Sequence, residues 1–198
     1  MSAAATVAVL AGGRGERIGG AKPTRVLGGR PLISYPLRAA HDAGLDAVIV
    51  AKRDTPLPPV REHVIEEPDE PRHPLCGVLA ALAYCSGASA TGGGVVIVAC
   101  DMPFLTPALL RRLAGLSAAA LLQVGGARQP LPARCLPEHA AALRRALDSR
   151  SSLSAAFAAL APRLLDEREL TALGEPQRLC FSVNTASDLA QAERWLTV

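Results

Sequence analysis

The sequence has few aromatic residues and no long uncharged apolar stretch. Only six of its 198 residues are Phe, Tyr or Trp, although 49% are hydrophobic, so we expect a core of Ala, Val, Leu and Ile. No apolar run reaches the roughly 18 residues of a membrane-spanning helix, which argues against membrane insertion. The start also lacks the charged region and cleavage site of a signal peptide. These absences predict a cytoplasmic protein in a reducing compartment.

The sequence also lacks the cysteine spacing of a metal site and the basic patches of a nucleic-acid-binding protein. No C-x-x-C and no Cys/His pair at zinc-ligand spacing occurs, so the cysteines are expected to be small buried hydrophobic residues. The net charge of +3 is mild, and no Lys/Arg cluster is interleaved with aromatics. An anionic small molecule therefore fits better than a nucleic acid. The length suits one domain, 1–198, with a core of its own.

The most informative stretch is an apolar strand that runs into a glycine-rich loop, Thr6 to Lys22 (TVAVLAGGRGERIGGAK). The short apolar run before the glycines is typical of a strand buried on both faces of a parallel sheet. Glycines let main-chain N–H groups approach a ligand closely, and Arg14, Arg17 and Lys22 bring three cations to the same loop. This combination predicts binding of a polyphosphate, although a solvated surface turn is the alternative.

Two well-known phosphate-binding loops do not match this stretch. In the dinucleotide pattern G-x-G-x-x-G, the third glycine would fall on Ile18. In the Walker pattern, Gly-Lys-Ser/Thr is required, but here Ala21 precedes Lys22 and Pro23 follows it. The pattern that remains is L-A-G-G-x-x-x-R-I-G-x-x-K. Its lysine is one of only two in the chain, the other being Lys52, which favours a specific role.

Strand-like and helix-like segments alternate along the chain, which predicts an α/β layered fold. After the first strand, the predicted strands are Asp46 to Ala51, His63 to Glu66, Val95 to Cys100, Ala119 to Val124, Leu131 to Cys135 and Leu179 to Val183. The predicted helices are Ile33 to Ala43, Leu75 to Ser86, Pro107 to Gly115 with Thr106 as N-cap, Glu138 to Asp148, Ser152 to Leu160, and a last one capped by Thr185 or Ser187.

Two acidic positions follow predicted strands, where ligands bind in sheets of this kind. Asp101 directly ends the run Val95 to Ala99, and a carboxylate there could hold Mg²⁺ against phosphates. An aspartate that opens a turn before a proline is the alternative. Glu66 and Glu67 follow another strand, and a carboxylate can accept hydrogen bonds from the adjacent N1–H and N2 amine of guanine. For both glutamates, the alternative is a solvated loop position.

These motifs resemble the molybdenum cofactor guanylyltransferase family of nucleotidyltransferases. The resemblance runs from Val7 to about Trp195 and includes the LAGG loop, Asp101 in a D-x-P motif, Pro74 to Gly77, and Asn184 in a late Asn-Thr segment. It implies a three-layer Rossmann-like fold with a mostly parallel central sheet. It also implies that the chain up to about residue 105 binds the nucleotide and the remainder binds the acceptor.

The implied reaction is the transfer of GMP from GTP to molybdopterin carrying molybdenum, with release of pyrophosphate. The implied catalytic residues are Lys22 on the α/β-phosphates, Arg17 on the β/γ-phosphates and Asp101 on Mg²⁺. Asn184 and Gln129 are the implied acceptor-binding residues. Transient contacts with other cofactor-biosynthesis or molybdoenzyme-maturation proteins are also implied. The implied nucleotide-binding residues are Leu10, Ala11, Gly12, Gly13, Arg14, Lys22, Glu67, Gly77 and Asp101.

Several positions depart from the family pattern. Ala51 stands where the family often has a nucleotide-contacting asparagine, and neighbouring Lys52 is placed to compensate. His73 and Cys76 replace a glycine and an alanine, and a glutamine replaces the family's histidine at Gln129. Asn184 could instead cap the last helix. Lys22 is expected to face solvent when no ligand is bound. The functional alternatives are transfer to another acceptor (CMP to molybdopterin, a sugar phosphate or cobinamide phosphate) and a non-catalytic nucleotide-binding module.

Overall fold

The computed structural model describes residues 5–13, 20–88 and 93–197, so the predicted phosphate contacts Arg14 and Arg17 lie outside the described residues. The strands are β1 (Thr6–Leu10), β2 (Val26–Leu27), β3 (Arg30–Pro31), β4 (Ala47–Ala51), β5 (His63–Glu66), β6 (Val95–Ala99), β7 (Ala120–Val124), β8 (Ala127–Cys135) and β9 (Arg163–Leu165). The helices are α1 (Ser34–Asp42), α2 (Pro74–Ala88), α3 (Pro107–Ala114), α4 (Ala140–Asp148), α5 (Leu153–Ala158), α6 (Glu167–Thr171), α7 (Pro176–Leu179) and α8 (Ala186–Leu196). Across these described ranges, every helix is too short or too polar to cross a membrane.

Seven strands form one sheet in the order β5-β4-β1-β6-β8-β7-β9, and β2 and β3 form a separate small hairpin. Strands β5, β4, β1 and β6 are parallel neighbours. β8 lies antiparallel to both β6 and β7, and β9 is parallel to β7. β8 is thus the one strand of this sheet that runs against the others. The predicted α/β fold with a mostly parallel sheet is confirmed.

The sheet carries a hydrophobic core on each face, because alternate strand residues point to opposite sides. In β1, Val7 and Val9 pack against one face with α1, α3, α6 and α7. Ala8 packs on the other face with α2, α4 and α5. The largest fully buried side chain of this second core is Phe157. Helices on both sides of a central sheet make the three layers that the resemblance implied.

A third, smaller apolar cluster joins the C-terminal segment to the β2–β3 hairpin. Its buried members include Leu27 of β2 and Val183, which precedes α8. Three aromatic rings lie beside it: Phe104 and Phe181 each contact Trp195 edge-on, with ring centroids 5.4 and 4.8 Å away. This cluster holds the C-terminal segment next to the loop that follows β6.

The predicted strand from Leu179 to Val183 is wrong. The chain there forms the short helix α7 and then continues without strand pairing. Pro176 is pre-organised for a first helical turn, and the Glu175 carboxylate accepts hydrogen bonds from the N–H groups of Gln177 and Arg178. A short apolar run cannot by itself distinguish a buried helix end from a strand. The small elements β2, β3, β9 and α6 were also missed.

The capping predictions are settled by the side chains at the helix starts. The Thr106 hydroxyl accepts from Leu109 N–H (3.2 Å), which confirms the predicted cap of α3, and it donates to Leu173 C=O (2.7 Å). α8 begins with a capping box between Thr185 and Asp188, so Thr185 is the cap rather than Ser187.

Thr106→Ala should lower the free energy of unfolding by about 1 to 2 kcal/mol, because it removes a helix cap and leaves the Leu173 carbonyl without its donor. Urea unfolding measures this change. Thr106→Ser is the matched control, since it keeps the hydroxyl and should retain most of the stability. Equal stability of Thr106→Ala and wild type would show that the cap contributes nothing.

Candidate active site

The candidate functional residues lie where the parallel strands end. Past those ends the main chain keeps strand-like hydrogen bonds to its neighbours. Glu67 N–H donates to Ala51 C=O (2.9 Å), and Cys100 N–H donates to Leu10 C=O (3.0 Å). Carboxyl ends of parallel strands meet at one edge of the sheet. Glu67 and Asp101 therefore lie at the same edge as the glycine loop, although they come from different strands.

A cavity of about 800 Å³ opens at this edge. It is bounded by the glycine loop, the loop after β4, the segment between β5 and α2, and the end of β6. The predicted nucleotide-binding residues that line it are Leu10, Gly12, Gly13, Lys22, Glu67 and Asp101. Ala11 is buried behind the loop, where it belongs to the core under α1 and α3. Most of the predicted set is thus brought to one concave surface.

The Lys22 ammonium is held by two side chains that are remote in sequence. It donates to Asp101 Oδ2 at 2.6 Å and to Asn184 Oδ1 at 2.7 Å. The side chains of Lys22 and Asp101 are only 17% and 7% exposed. The expectation that Lys22 faces solvent without a ligand is therefore wrong, because a nearby buried carboxylate offers the ammonium a stronger partner than water does.

A tight turn places Lys22 at this point. Gly20 and Ala21 both have left-handed φ values, 78° and 47°, and residues Lys22–Thr24 form a 3-10 turn with Pro23 buried. A left-handed conformation costs an alanine about 1 to 2 kcal/mol. The Thr24 hydroxyl donates to Ala21 C=O at 3.0 Å and so stabilises the turn. Ala21 keeps this strained conformation in the turn that places Lys22 at the site.

Asn184 reaches the site through the main chain beside it. Val183 N–H donates to Asp101 C=O at 2.9 Å, which aligns the C-terminal segment with the end of β6. Because Thr185 and Asp188 cap α8, the Asn184 side chain is not used as the cap. Its carbonyl oxygen instead accepts from Lys22. A role toward the acceptor or a metal-bound water stays a prediction.

Asp101 has the features of a carboxylate that could hold a divalent cation. Lys22 occupies Oδ2, while the buried Oδ1 has no hydrogen-bond partner within the described residues. In that same part of the chain, no group of three or more His, Cys, Asp or Glu side chains could form a closed metal cage. A lone carboxylate fits Mg²⁺, which is commonly held by one or two carboxylates together with substrate phosphates. The residues present therefore fit this metal.

Glu67 is a buried carboxylate enclosed by two glycines. It is 8% exposed. A Cβ on Gly12 would overlap its Oε1, and a Cβ on Gly77 would lie 2.8 Å from its Oε2. Gly12 therefore makes room for this carboxylate as well as giving its backbone access to a ligand. Burial raises the pKa of Glu67, while the Lys52 ammonium, 4.0 Å from Oε1, acts to lower it.

The structure leaves some predicted residues apart and adds others. Gln129 lies in β8 opposite Leu122 and is not among the described residues that line the cavity, so its acceptor role stays a prediction. His73 lines the cavity, and its Nδ1 accepts from Leu75 N–H at the start of α2. Arg72 and Asp69 also line it and were missed. The sequence feature that could have identified them is their position between the end of one strand and the start of the next helix.

Comparisons with known proteins agree with this geometry. Residues 7–167 match the family model of the MobA-like NTP transferase domain. The chain is 35% identical over 144 residues to the molybdenum cofactor guanylyltransferase of Pseudomonas putida, which covers 67% of this chain and 72% of the relative. It is 30% identical over 210 residues to that of a Bradyrhizobium strain, covering 98% and 96%.

Solved structures give the same picture. The molybdopterin-guanine dinucleotide biosynthesis protein A of Archaeoglobus fulgidus superposes with a TM-score of 0.78 at 25% identity, covering 97% of this chain and 98% of that one. A 2-C-methyl-D-erythritol 4-phosphate cytidylyltransferase from Thermus thermophilus shares the fold, with a TM-score of 0.65, 18% identity and coverage of 99% and 100%. With the cavity, the strand-end acids and these matches together, the chain belongs to the family of MobA-like nucleotidyltransferases, as its LAGG loop and Asp101 indicated.

Proposed function

We propose that this enzyme transfers GMP from GTP to the terminal phosphate of molybdopterin carrying molybdenum, with release of pyrophosphate. The observation that carries the proposal is the Lys22 ammonium, held between Asp101 and Asn184 in a cavity beside the glycine loop. The names of the related proteins support the choice of nucleotide and acceptor. On this proposal, the chain up to about residue 105 binds the nucleotide, and the remainder, with Asn184 and Gln129, binds the acceptor.

The chemistry asks for positioning and charge neutralisation rather than for a protein nucleophile. An acceptor phosphate oxygen attacks the α-phosphorus in line with the departing pyrophosphate, and no general base is needed because the acceptor phosphate is already ionised. Cys100, the thiol among the described residues that line the cavity, is unsuited to nucleophilic attack, since burial raises its pKa well above the usual range. The cations at the cavity are the groups that this mechanism uses.

Each charged group has a proposed task. Lys22 neutralises the α- and β-phosphates, while Arg14, Arg17 and the loop amides bind the β- and γ-phosphates. Asp101 holds the divalent metal ion that nucleotidyltransferases of this family generally use, and we propose Mg²⁺. When bound, such an ion would neutralise charge on the leaving pyrophosphate. The Oδ1 of Asp101, which has no hydrogen-bond partner among the described residues, supports this assignment.

Glu67 is proposed to read the base. Guanine offers a ring N1–H beside its N2 amine, which matches the two oxygens of a carboxylate. Adenine has no such adjacent donors, and cytosine has an N4 amine without a neighbouring ring N–H. The burial of Glu67 at the cavity supports this role, because a hydrogen bond to a buried charged group is stronger than one to a solvated group. Transient protein partners and a cytoplasmic location stay predictions of the sequence.

Asp101→Asn should slow turnover by roughly a hundredfold or more, because the amide keeps the side-chain shape but removes the anionic metal ligand. Magnesium-dependent pyrophosphate release from GTP and a phosphorylated pterin acceptor measures the effect. Asp54→Asn is the matched control, since Asp54 lines the same cavity as an exposed acid. Full magnesium-dependent activity of Asp101→Asn would remove Asp101 from the site.

Lys22→Met should slow single-turnover transfer by roughly a hundredfold, because the ammonium neutralises charge that grows in the transition state. GTP affinity should fall less, since Arg14, Arg17 and the loop amides remain. The variant should also be less stable than wild type, because Asp101 loses its buried partner. Lys22→Arg, which keeps the charge, is the control for that loss. An unchanged single-turnover rate would contradict a catalytic role for the loop.

Glu67→Gln should weaken GTP binding by about tenfold and leave ATP binding nearly unchanged, because the amide NH₂ opposes the donors of guanine. Equilibrium binding of both nucleotides measures the selectivity. Glu66→Gln is the matched control, since the neighbouring Glu66 is exposed, pairs with Arg53 and is not among the described residues that line the cavity. Equal losses for GTP and ATP would show that Glu67 does not read the base.

A further inference from the structure

Lys52 follows β4 and extends into the cavity next to Glu67. Its ammonium donates to Pro68 C=O at 2.6 Å and to Asp69 C=O at 3.1 Å, and it lies 4.0 Å from Glu67 Oε1. Its side chain is 16% exposed. One cation therefore contacts three consecutive residues of the turn that carries the base-reading carboxylate.

The loop that bears Lys52 is itself anchored. Lys52 N–H donates to the Thr55 hydroxyl at 3.1 Å, and Thr55 N–H donates to Lys52 C=O at 3.1 Å. This closed turn holds the root of the lysine at the end of β4, one strand away from the turn after β5. Lys52 thus ties the ends of two neighbouring strands together by its side chain, in addition to the main-chain bond from Glu67 to Ala51.

Two of the three donors of Lys52 are committed to main-chain carbonyls. They go to Pro68 and Asp69, while Glu67 Oε1, at 4.0 Å, lies beyond hydrogen-bond distance but close enough to interact with the positive charge. A lysine that binds phosphate needs those donors free for the ligand, as the P-loop lysine does. The geometry of Lys52 suits the support of a neighbouring acid better than contact with a triphosphate.

We propose that Lys52 is a positioning residue for base selection: it closes the turn of residues 67–69 and keeps the Glu67 carboxylate in place and ionised, so that the site prefers a purine with both a ring N1–H and a 2-amino group. This inference rests on the proposed role of Glu67 in reading guanine. It assigns Lys52 no contact with the reacting phosphates.

The charges around Glu67 fix the direction of a pH effect. Burial and the nearby Asp69 raise the pKa of Glu67, and Lys52 lowers it. Binding that needs the ionised carboxylate is present above this pKa and is lost as the pH falls through it. Without the Lys52 charge, the pKa of Glu67 rises further, so the loss of guanine binding must begin at a higher pH than in wild type.

The test compares GTP with inosine triphosphate, which keeps N1–H but lacks the 2-amino group. Equilibrium binding of each is measured for wild type and Lys52→Met over a pH range of about 5 to 9. Lys52→Met should reduce the preference for GTP over inosine triphosphate by about tenfold at neutral pH, which corresponds to the usual contribution of one charged hydrogen bond. The preference should recover in part as the pH rises through the raised pKa of Glu67.

Two control variants separate charge from side-chain removal. Lys52→Arg keeps the cation and should restore most of the preference. Arg38→Gln removes an exposed cation that pairs with Asp42 on α1 and is not among the described residues that line the cavity, so it should change nothing. If Lys52→Met fails to fold, Lys52→Gln, which can still donate to the carbonyls, gives the same comparison.

Three results would overturn the inference. Equal losses of GTP and inosine triphosphate in Lys52→Met would mean that Lys52 contacts a shared part of the nucleotide. An unchanged preference or an unshifted pH profile would mean that it does not act through Glu67. Glu67→Gln, measured in parallel, separates the role of Lys52 from the proposed base recognition by Glu67. If Glu67→Gln lowers the preference for GTP while Lys52→Met does not, only the inference about Lys52 fails. If Glu67→Gln has no effect either, the proposed base recognition fails with it.

Discussion

The contact on which the site depends is the Lys22 ammonium between Asp101 and Asn184. It joins three segments that come from the glycine loop, the end of β6 and the stretch before α8. Removing one partner of an ion pair as buried as this one is strongly destabilising, because the other charge is left buried and uncompensated. The fold therefore has to deliver a cation to this point, and the left-handed turn at Gly20 and Ala21 does so at a cost in backbone strain.

The part of the site that sequence reasoning predicted is the part governed by local rules. Asp101 and Glu67 follow apolar strands, and ligands bind where parallel strands end, so their convergence could be predicted without coordinates. The contact of Lys22 with Asn184 could not, because it joins residues 162 positions apart and no local pattern records it. The same limit explains the predicted strand from Leu179 to Val183, because the Glu175 cap and Pro176 favour a short helix that ends at Leu179, and the residues after it pair with no strand.

The second half of the chain was less predictable because its elements are short and depend on tertiary packing. β9 has three residues and is defined only by pairing with β7. β8 runs against the rest of the sheet, and a hydrophobic pattern does not reveal strand direction. The cluster of Phe104, Phe181 and Trp195 uses three of the six aromatic residues in the chain. Its role in holding Asn184 near Asp101 follows from packing alone.

The two lysines of the chain form two different kinds of pair with acids of the cavity. The chain has 21 basic residues, of which only Lys22 and Lys52 are lysines, and each lies beside one of the buried acids of the cavity, Asp101 and Glu67. A lysine carries a compact charge with three donors that can serve partners in different directions. Lys22 binds its acid directly at 2.6 Å. Lys52 stands 4.0 Å from Glu67 and leaves that carboxylate's edge open. On the proposed mechanism, the close pair suits the end of the cavity where charge changes during reaction, and the looser pair suits the end where the carboxylate must remain free to bind a base.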